Sequence, residues 1–136
     1  MELLVKSSGI FGANGALGLA ESFITRYSAT KRLNDKQLAA GYICLALKYM
    51  MYGALSSYQA MEPLSSYSIN ELFVMMHGRG LSIPNELRGT FSNIVRWECP
   101  STIKNSVSIT TIRSAYNKLN AWVQTYKLLS DDFWAD

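Results

Sequence analysis

The sequence is poor in the residues that build metal sites and disulfide frameworks. Its 136 residues include one histidine, His77, and two cysteines, Cys44 and Cys99. Structural zinc sites use about four ligands, and these cysteines lack the close paired spacing of such sites. Cys44 lies in an apolar helical stretch and is predicted to be a small buried hydrophobe, whereas Cys99 lies in a break beside Pro100. We therefore expect no metal, no cofactor and no disulfide, in a reduced, cytoplasmic protein.

Long apolar runs and a strong charge excess are also missing. The stretch 38–55 comes closest to the ~18 residues that span a bilayer, but Lys48 interrupts it. Glu2 and Lys6 break up the start of the chain in a way that a signal peptide does not. The net charge of +3 comes from scattered residues, so charge alone does not indicate nucleic acid. With 49% hydrophobic residues, we expect one globular domain over residues 1–136 and no membrane partner.

Glycines recur every third residue near the start of the chain, at Gly9, Gly12, Gly15 and Gly18. The Lys-Ser/Thr pair of a phosphate-binding loop does not follow them. Two interpretations remain open. Residues 1–15 form a flexible glycine-rich lead-in, or the small residues permit the close approach of two helices.

Helical periodicity dominates the rest of the chain, with no competing strand pattern. We predict helices at about 16–31, 35–60 and 69–77, a fourth from Pro84 to Arg96, and a last one from Ser108 to Tyr126. The stretch 101–108 is predicted to be a loop. Residues 130–136, with Phe133 and Trp134, form a tail that folds back or docks to a partner. The fold class is therefore all-α, a single-domain bundle of about five helices, with the second and last at its centre.

Capping and burial patterns support these helices. Ser68 with Glu71 and Asn34 with Gln37 have the spacing of capping boxes. The second helix has one apolar face of Leu38, Tyr42, Leu45 and Tyr49 and another of Ile43, Leu47, Met50 and Met51, so we expect it to be buried on most sides. The last helix has a seam of Ile109, Ile112, Tyr116, Leu119, Val123 and Tyr126.

No set of residues points to catalysis. His77 is expected to cap the C-terminus of the third helix, and the acidic residues are dispersed over different elements. Basic residues and one tryptophan instead cluster at the predicted breaks: Arg79, Arg88, Arg96, Trp97 and Lys104. These residue types bind protein or RNA, because arginine offers fixed donors and tryptophan a large stacking surface. Two other interpretations stay open: a solvated polar rim, and a Trp97 that plugs the end of the bundle.

The order of these signals resembles that of HEPN-domain proteins over about residues 35–127. The helix 39–55, the stretch 83–88, the break Ile94–Pro100 and the final helix from Ile112 with Trp122 carry the resemblance. It implies an all-α bundle, often dimeric, within a family of ribonucleases, nucleotidyltransferase partners and non-catalytic binding modules. The family's nucleases place a His four to six residues after an Arg, and this chain has no such pair.

The sequence therefore favours a non-catalytic helical protein-interaction module over an enzyme. The resemblance places it in a toxin–antitoxin, defence or phage and mobile-element conflict system, with another protein as the expected partner and a homodimer as an open possibility. The alternative is an RNA-binding or RNA-cleaving HEPN-type protein. A third interpretation, a small-ligand binder, follows from the methionine- and tyrosine-rich helices.

Overall fold

The computed structural model describes the backbone of residues 2–51, 63–78 and 80–135, and the side chains of 9–51, 63–78 and 80–126. Within these ranges the chain forms only helices: α1 Glu2–Thr30, α2 Leu33–Met51, a 3-10 turn Leu64–Ser66, α3 Ile69–Gly78, α4 Leu87–Arg96, α5 Pro100–Ser106 and α6 Ile109–Ala135. The predicted all-α bundle is thus confirmed. The second helix is confirmed as far as Met51, and the rest of its predicted range lies outside the described residues.

An antiparallel hairpin of α1 and α2 forms one half of the bundle. Thr30 links the two helices: its Oγ1 accepts the Arg32 N–H at 3.2 Å and donates to Asp35 Oδ2 at 2.6 Å. Asp35 is buried in the first turn of α2, where the helix dipole favours a negative charge. The predicted capping box was wrong, because α2 already begins at Leu33 and Asn34 lies inside its first turn.

The predicted flexible lead-in at residues 1–15 was also wrong, because α1 already begins at Glu2. Small residues let this stretch pack against α2, as the second interpretation of the glycines expected. Gly9 and Ala13 are buried, and a Cβ at Gly12 would lie 2.5 Å from the Tyr49 ring. Further along the hairpin, Phe23 stacks on Tyr42 with ring centroids 5.7 Å apart.

The helix α6 closes the other half of the bundle. The last helix was predicted from Ser108, and α6 begins at the next residue, Ile109, with Ser108 as its cap: the Thr111 N–H donates to Ser108 Oγ at 3.1 Å. Ile112, Leu119 and Val123 of the predicted seam are fully buried. Two polar contacts fasten α6 to α1: Tyr116 Oη donates to Glu21 Oε2 at 3.0 Å, and Gln124 Nε2 donates to Asn14 Oδ1 at 2.7 Å.

The predicted central position of the second and last helices agrees with the packing. Helix α2 contacts α1, α4, α5 and α6, and α6 contacts α1, α2 and α4. The prediction of a tail at residues 130–136 was wrong for the backbone as far as Ala135, because α6 continues to that residue. The side chains of Phe133 and Trp134 lie outside the described residues.

Between these halves, α3 and α4 cover one side of the core. The predicted capping box of α3 is present: the Glu71 N–H donates to Ser68 Oγ at 3.1 Å, and the Ser68 N–H donates to Glu71 Oε1 at 3.5 Å. Helix α4 begins at Leu87 and not at Pro84, because residues 84–86 form a turn in which the Leu87 N–H donates to the Pro84 carbonyl at 3.0 Å. Phe91 fills the space between α4 and the core.

A short helix replaces the loop predicted at residues 101–108. Helix α5 begins at Pro100, whose fixed φ suits the first helical position and whose missing N–H costs nothing there. Ile103 is buried and holds α5 against α2. The prediction was wrong because Pro100 was interpreted only as the end of α4, although it also begins the next helix. Together with α2, this short helix forms a depression at the surface.

Candidate interaction groove

A groove of about 690 Å³ runs between α2 and α5. One wall consists of Leu38, Gly41, Leu45 and Lys48 of α2, and the other of Pro100 and Ile103 of α5. The α2 residues recur at intervals of three, four and three, so they lie on one side of the helix. We call this depression the α2–α5 groove.

The apolar wall of the groove is only partly covered. The predicted face of Ile43, Leu47, Met50 and Met51 is buried in the core, as expected. The opposite face, with Leu38, Tyr42, Leu45 and Tyr49, is half-buried or exposed, and Leu45 retains 38% of its accessible surface. The expectation that α2 is buried on most sides was therefore wrong at Leu45, whereas α1 packs against Tyr42 and Tyr49 of the same face.

Trp97 and Cys44 are buried and form the floor of the groove. Trp97 is 3% exposed, and Cys44 Sγ donates to the Ile94 carbonyl at 3.2 Å, which links α2 to α4. Burial, followed by the repulsion of Glu98, raises the pKa of the Cys44 thiol to about 12. The thiol is therefore neutral at physiological pH and acts as a small hydrophobe with one donor, as predicted.

Glu98 joins three elements at the end of the groove. Its Oε1 accepts the Leu64 N–H at 2.7 Å and lies 3.5 Å from the Lys48 ammonium nitrogen. The Glu98 side chain is 15% exposed, so both interactions are partly shielded from water. The carboxylate thereby ties the 3-10 turn and α2 to the end of α4, and it is occupied by structural contacts.

The predicted binding residues do not form one patch. Arg88 and Arg96 lie at opposite ends of α4, about 12 Å apart along the helix axis. Arg88 stands over the Phe73 ring at 4.6 Å and donates to Asn70 Oδ1 at 2.5 Å, so it fastens α3 to α4. Arg79 lies outside the described residues.

Of the predicted residues, Trp97 lines the groove, and Arg96 and Lys104 lie beside it. Trp97 lies in its floor, which agrees with the interpretation of this residue as a plug at the end of the bundle. Arg96 is exposed and lines an adjoining cleft of about 500 Å³ that shares Pro63 and Glu98 with the groove. Lys104 is exposed on α5, one turn after Pro100 and on the same side of the helix.

Cys99 differs from Cys44 in its surroundings. It is exposed at the start of α5, and its Sγ lies 2.9 Å from Ser101 Oγ. This hydrogen bond, followed by contacts with the backbone of Thr102 and Ser101, lowers the pKa of the Cys99 thiol. The two thiols therefore differ in reactivity, with Cys99 the accessible and more acidic one.

The remaining chemistry-bearing residues do not converge. His77 is exposed in the last turn of α3, where a cation is favoured by the helix dipole. Over the described ranges, no group of three or more His, Cys, Asp or Glu side chains could hold a metal ion. None of the helices in the described part of the chain is long and apolar enough to cross a membrane.

Comparison with protein families, with curated proteins and with solved structures finds no match for this chain. The HEPN resemblance of the sequence therefore stays a prediction.

The residues that form the groove were only partly visible in the sequence. Leu38 and Leu45 were assigned to an apolar face, but the pattern could not show that this face would stay uncovered. Gly41 was the one available signal, because a glycine inside an apolar helix face marks missing side-chain volume. The facing wall could not be predicted once α5 was interpreted as a loop.

Proposed function

We propose that this chain is a non-catalytic interaction module that binds an amphipathic helix of another protein in the α2–α5 groove. The observation that carries the proposal is the uncovered apolar wall of Leu38 and Leu45, which faces Pro100 and Ile103 across the depression. Apolar side chains left accessible side by side in a groove gain free energy when a partner covers them.

The dimensions of the groove favour a helix as the occupant. Its α2 wall extends from Asn34 to Lys48, which corresponds to about 21 Å or four helical turns. An amphipathic helix of that length presents apolar side chains at positions i, i+4, i+7 and i+11, which matches the spacing of the wall. A groove lined on both sides by helices also allows the interdigitation of side chains that helix pairs use.

Gly41 gives the groove its depth. A glycine inside a helix costs roughly 0.5–1 kcal/mol relative to alanine. A Cβ at Gly41 would meet no atom within 4 Å from other parts of the described structure, so packing inside the chain does not require this glycine. The gap between Leu38 and Leu45 instead leaves room for a side chain of the partner helix.

The experiment is a selection of displayed peptides of about 16 residues, long enough for four helical turns, on three immobilised proteins. These are the wild type, Gly41→Leu, which fills the groove, and Gly15→Leu, which changes another exposed helix glycine with open space around it. Far-UV circular dichroism first establishes that all three are folded. We expect the wild type and Gly15→Leu to enrich peptides with helical apolar spacing and Gly41→Leu to lose them. Equal enrichment on all three proteins, or none with helical spacing on the wild type, would refute the proposal.

A further inference from the structure

We infer that the helix that binds in the α2–α5 groove carries acidic side chains along its flanks. This inference rests on the proposed function and adds the chemical class of the partner. Its basis is the distribution of charge around the groove: Lys48 on the α2 side is paired with Glu98, whereas Lys104 on the α5 side and Arg96 in the adjoining cleft form no ion pair with the residues that the structure describes.

Three cations surround the apolar walls. Lys48 lies in the α2 wall, Lys104 lies beside Pro100 on the opposite side, and Arg96 lines the adjoining cleft. Arg96 and Lys104 are exposed, and neither forms an ion pair with any residue that the structure describes. Both side chains are therefore able to turn toward a partner at little cost.

Negative charge on this surface is already committed to the fold. Glu98 is the one acid among the described residues that line the groove and the adjoining cleft. Its carboxylate accepts the Leu64 N–H and contacts Lys48. Asp35, at the far end of the groove wall, is buried and accepts the Thr30 hydroxyl. Over the described residues, the uncompensated charge beside the groove is therefore positive and lies at Lys104 and Arg96, and acidic residues along the flank of a bound helix would complement it.

Basic side chains would oppose binding in the same geometry. A lysine on the partner's flank would approach Lys104 or Arg96, and the carboxylate of Glu98 in the same lining is already bonded to Leu64 and Lys48. Rim charges of this kind contribute modest affinity each and act mainly on the association rate and its salt dependence. Neutralising Lys104 or Arg96 is expected to weaken an acidic helix about two- to fivefold.

The test uses three synthetic helical peptides of about 16 residues with leucines at i, i+4, i+7 and i+11. The flanking positions are glutamate in the first peptide, glutamine in the second and lysine in the third, with alanine elsewhere. Affinity is measured by isothermal titration calorimetry at low and at physiological salt. The proteins are the wild type, Lys104→Gln, Arg96→Gln, and Lys118→Gln as a matched control on α6, where Lys118 is exposed.

We expect the glutamate peptide to bind most tightly, with an affinity that falls as the salt concentration is raised. Its affinity should fall about two- to fivefold with Lys104→Gln or Arg96→Gln and stay unchanged with Lys118→Gln. Equal or tighter binding of the glutamine or lysine peptide would overturn the inference, while the proposed function would stand. If none of the three peptides binds, both fail. A single-stranded RNA oligonucleotide is titrated in parallel; if it binds through Arg96 and Lys104 while the glutamate peptide does not, these cations serve RNA.

Discussion

Replacing Gly12 with alanine tests the close approach of α1 and α2. The new methyl group would lie 2.5 Å, 2.7 Å and 2.8 Å from Cδ1, Cε1 and Cγ of Tyr49. Carbon atoms in contact are about 3.5–4.0 Å apart, so the ring has to move by roughly 1 Å. Overpacking of this kind costs about 1–3 kcal/mol, whereas removing a helix glycine contributes about 0.5–1 kcal/mol in the opposite direction. Because Tyr49 is 38% exposed, its ring has room to swing outward, and we expect the free energy of unfolding to fall by about 1 kcal/mol.

Two further variants separate the contact from the general effect of glycine. Gly15 lies in the same helix, and a Cβ there would meet open space, so Gly15→Ala is expected to raise the free energy of unfolding by about 0.5–1 kcal/mol. In a Tyr49→Ala background the ring is gone, and Gly12→Ala should become stabilising by a similar amount. Urea denaturation followed by far-UV circular dichroism measures the free energy of unfolding of the wild type, Gly12→Ala, Gly15→Ala, Tyr49→Ala and the double variant Gly12→Ala/Tyr49→Ala. The double-mutant cycle then gives the coupling energy between Gly12 and Tyr49.

The outcome that contradicts this reasoning is specific. If Gly12→Ala stabilises the protein as much as Gly15→Ala does, with and without Tyr49, then the ring does not pack on Gly12. The close approach of α1 and α2 at Gly12 would then be wrong.

The remaining predictions concern the core, the thiols and catalysis. Leu119→Ala is expected to lower the free energy of unfolding by about 2–5 kcal/mol and Trp97→Ala by about 3–5 kcal/mol, because both side chains are buried. If urea denaturation shows a loss below about 0.5 kcal/mol, the residue lies at the surface. At pH 8 a thiol-reactive dye should modify Cys99 in the folded protein and Cys44 only after unfolding. The reason is that Cys99 is exposed and has a lowered pKa, whereas Cys44 is buried and has a pKa of about 12. Equal rates of modification of the two cysteines, followed by mass spectrometry, would contradict this prediction. Pure protein should leave a mixed RNA pool intact with and without divalent metal, and cleavage that His77→Ala abolishes would show instead that the chain is a nuclease.

Local signals in the sequence predicted most of the helices. The capping box at Ser68 and the helix start at Ser108 were predictable because a cap and its target are only three residues apart. Ile112, Tyr116, Leu119 and Val123 of the α6 seam are buried because a repeated helical spacing leaves one face to be covered. These features depend on the chain near each residue, so the pattern alone was sufficient.

The groove depends on packing between distant segments, and this is where prediction failed. Pro100 both ends α4 and begins α5, and the sequence does not show which role prevails. The exposure of Leu45 depends on which other helices cover α2, since a leucine at this position fits a buried site as well as an exposed one. The role of Glu98 rests on partners 34 and 50 positions away, Leu64 and Lys48, which no local spacing indicates.

The long sequence separation between α1 and α6 has a consequence for synthesis. Glu21 and Asn14 bond to residues 95 and 110 positions later, whereas the α1–α2 hairpin is local. At about 5–20 residues per second, a ribosome needs roughly 4–15 s to pass from the end of α2 to Tyr126. During this interval all residues of the hairpin have been synthesised, but the apolar side that α6 covers has no partner yet. Nascent chains stalled in this interval are therefore expected to aggregate or to require a chaperone more than the completed chain.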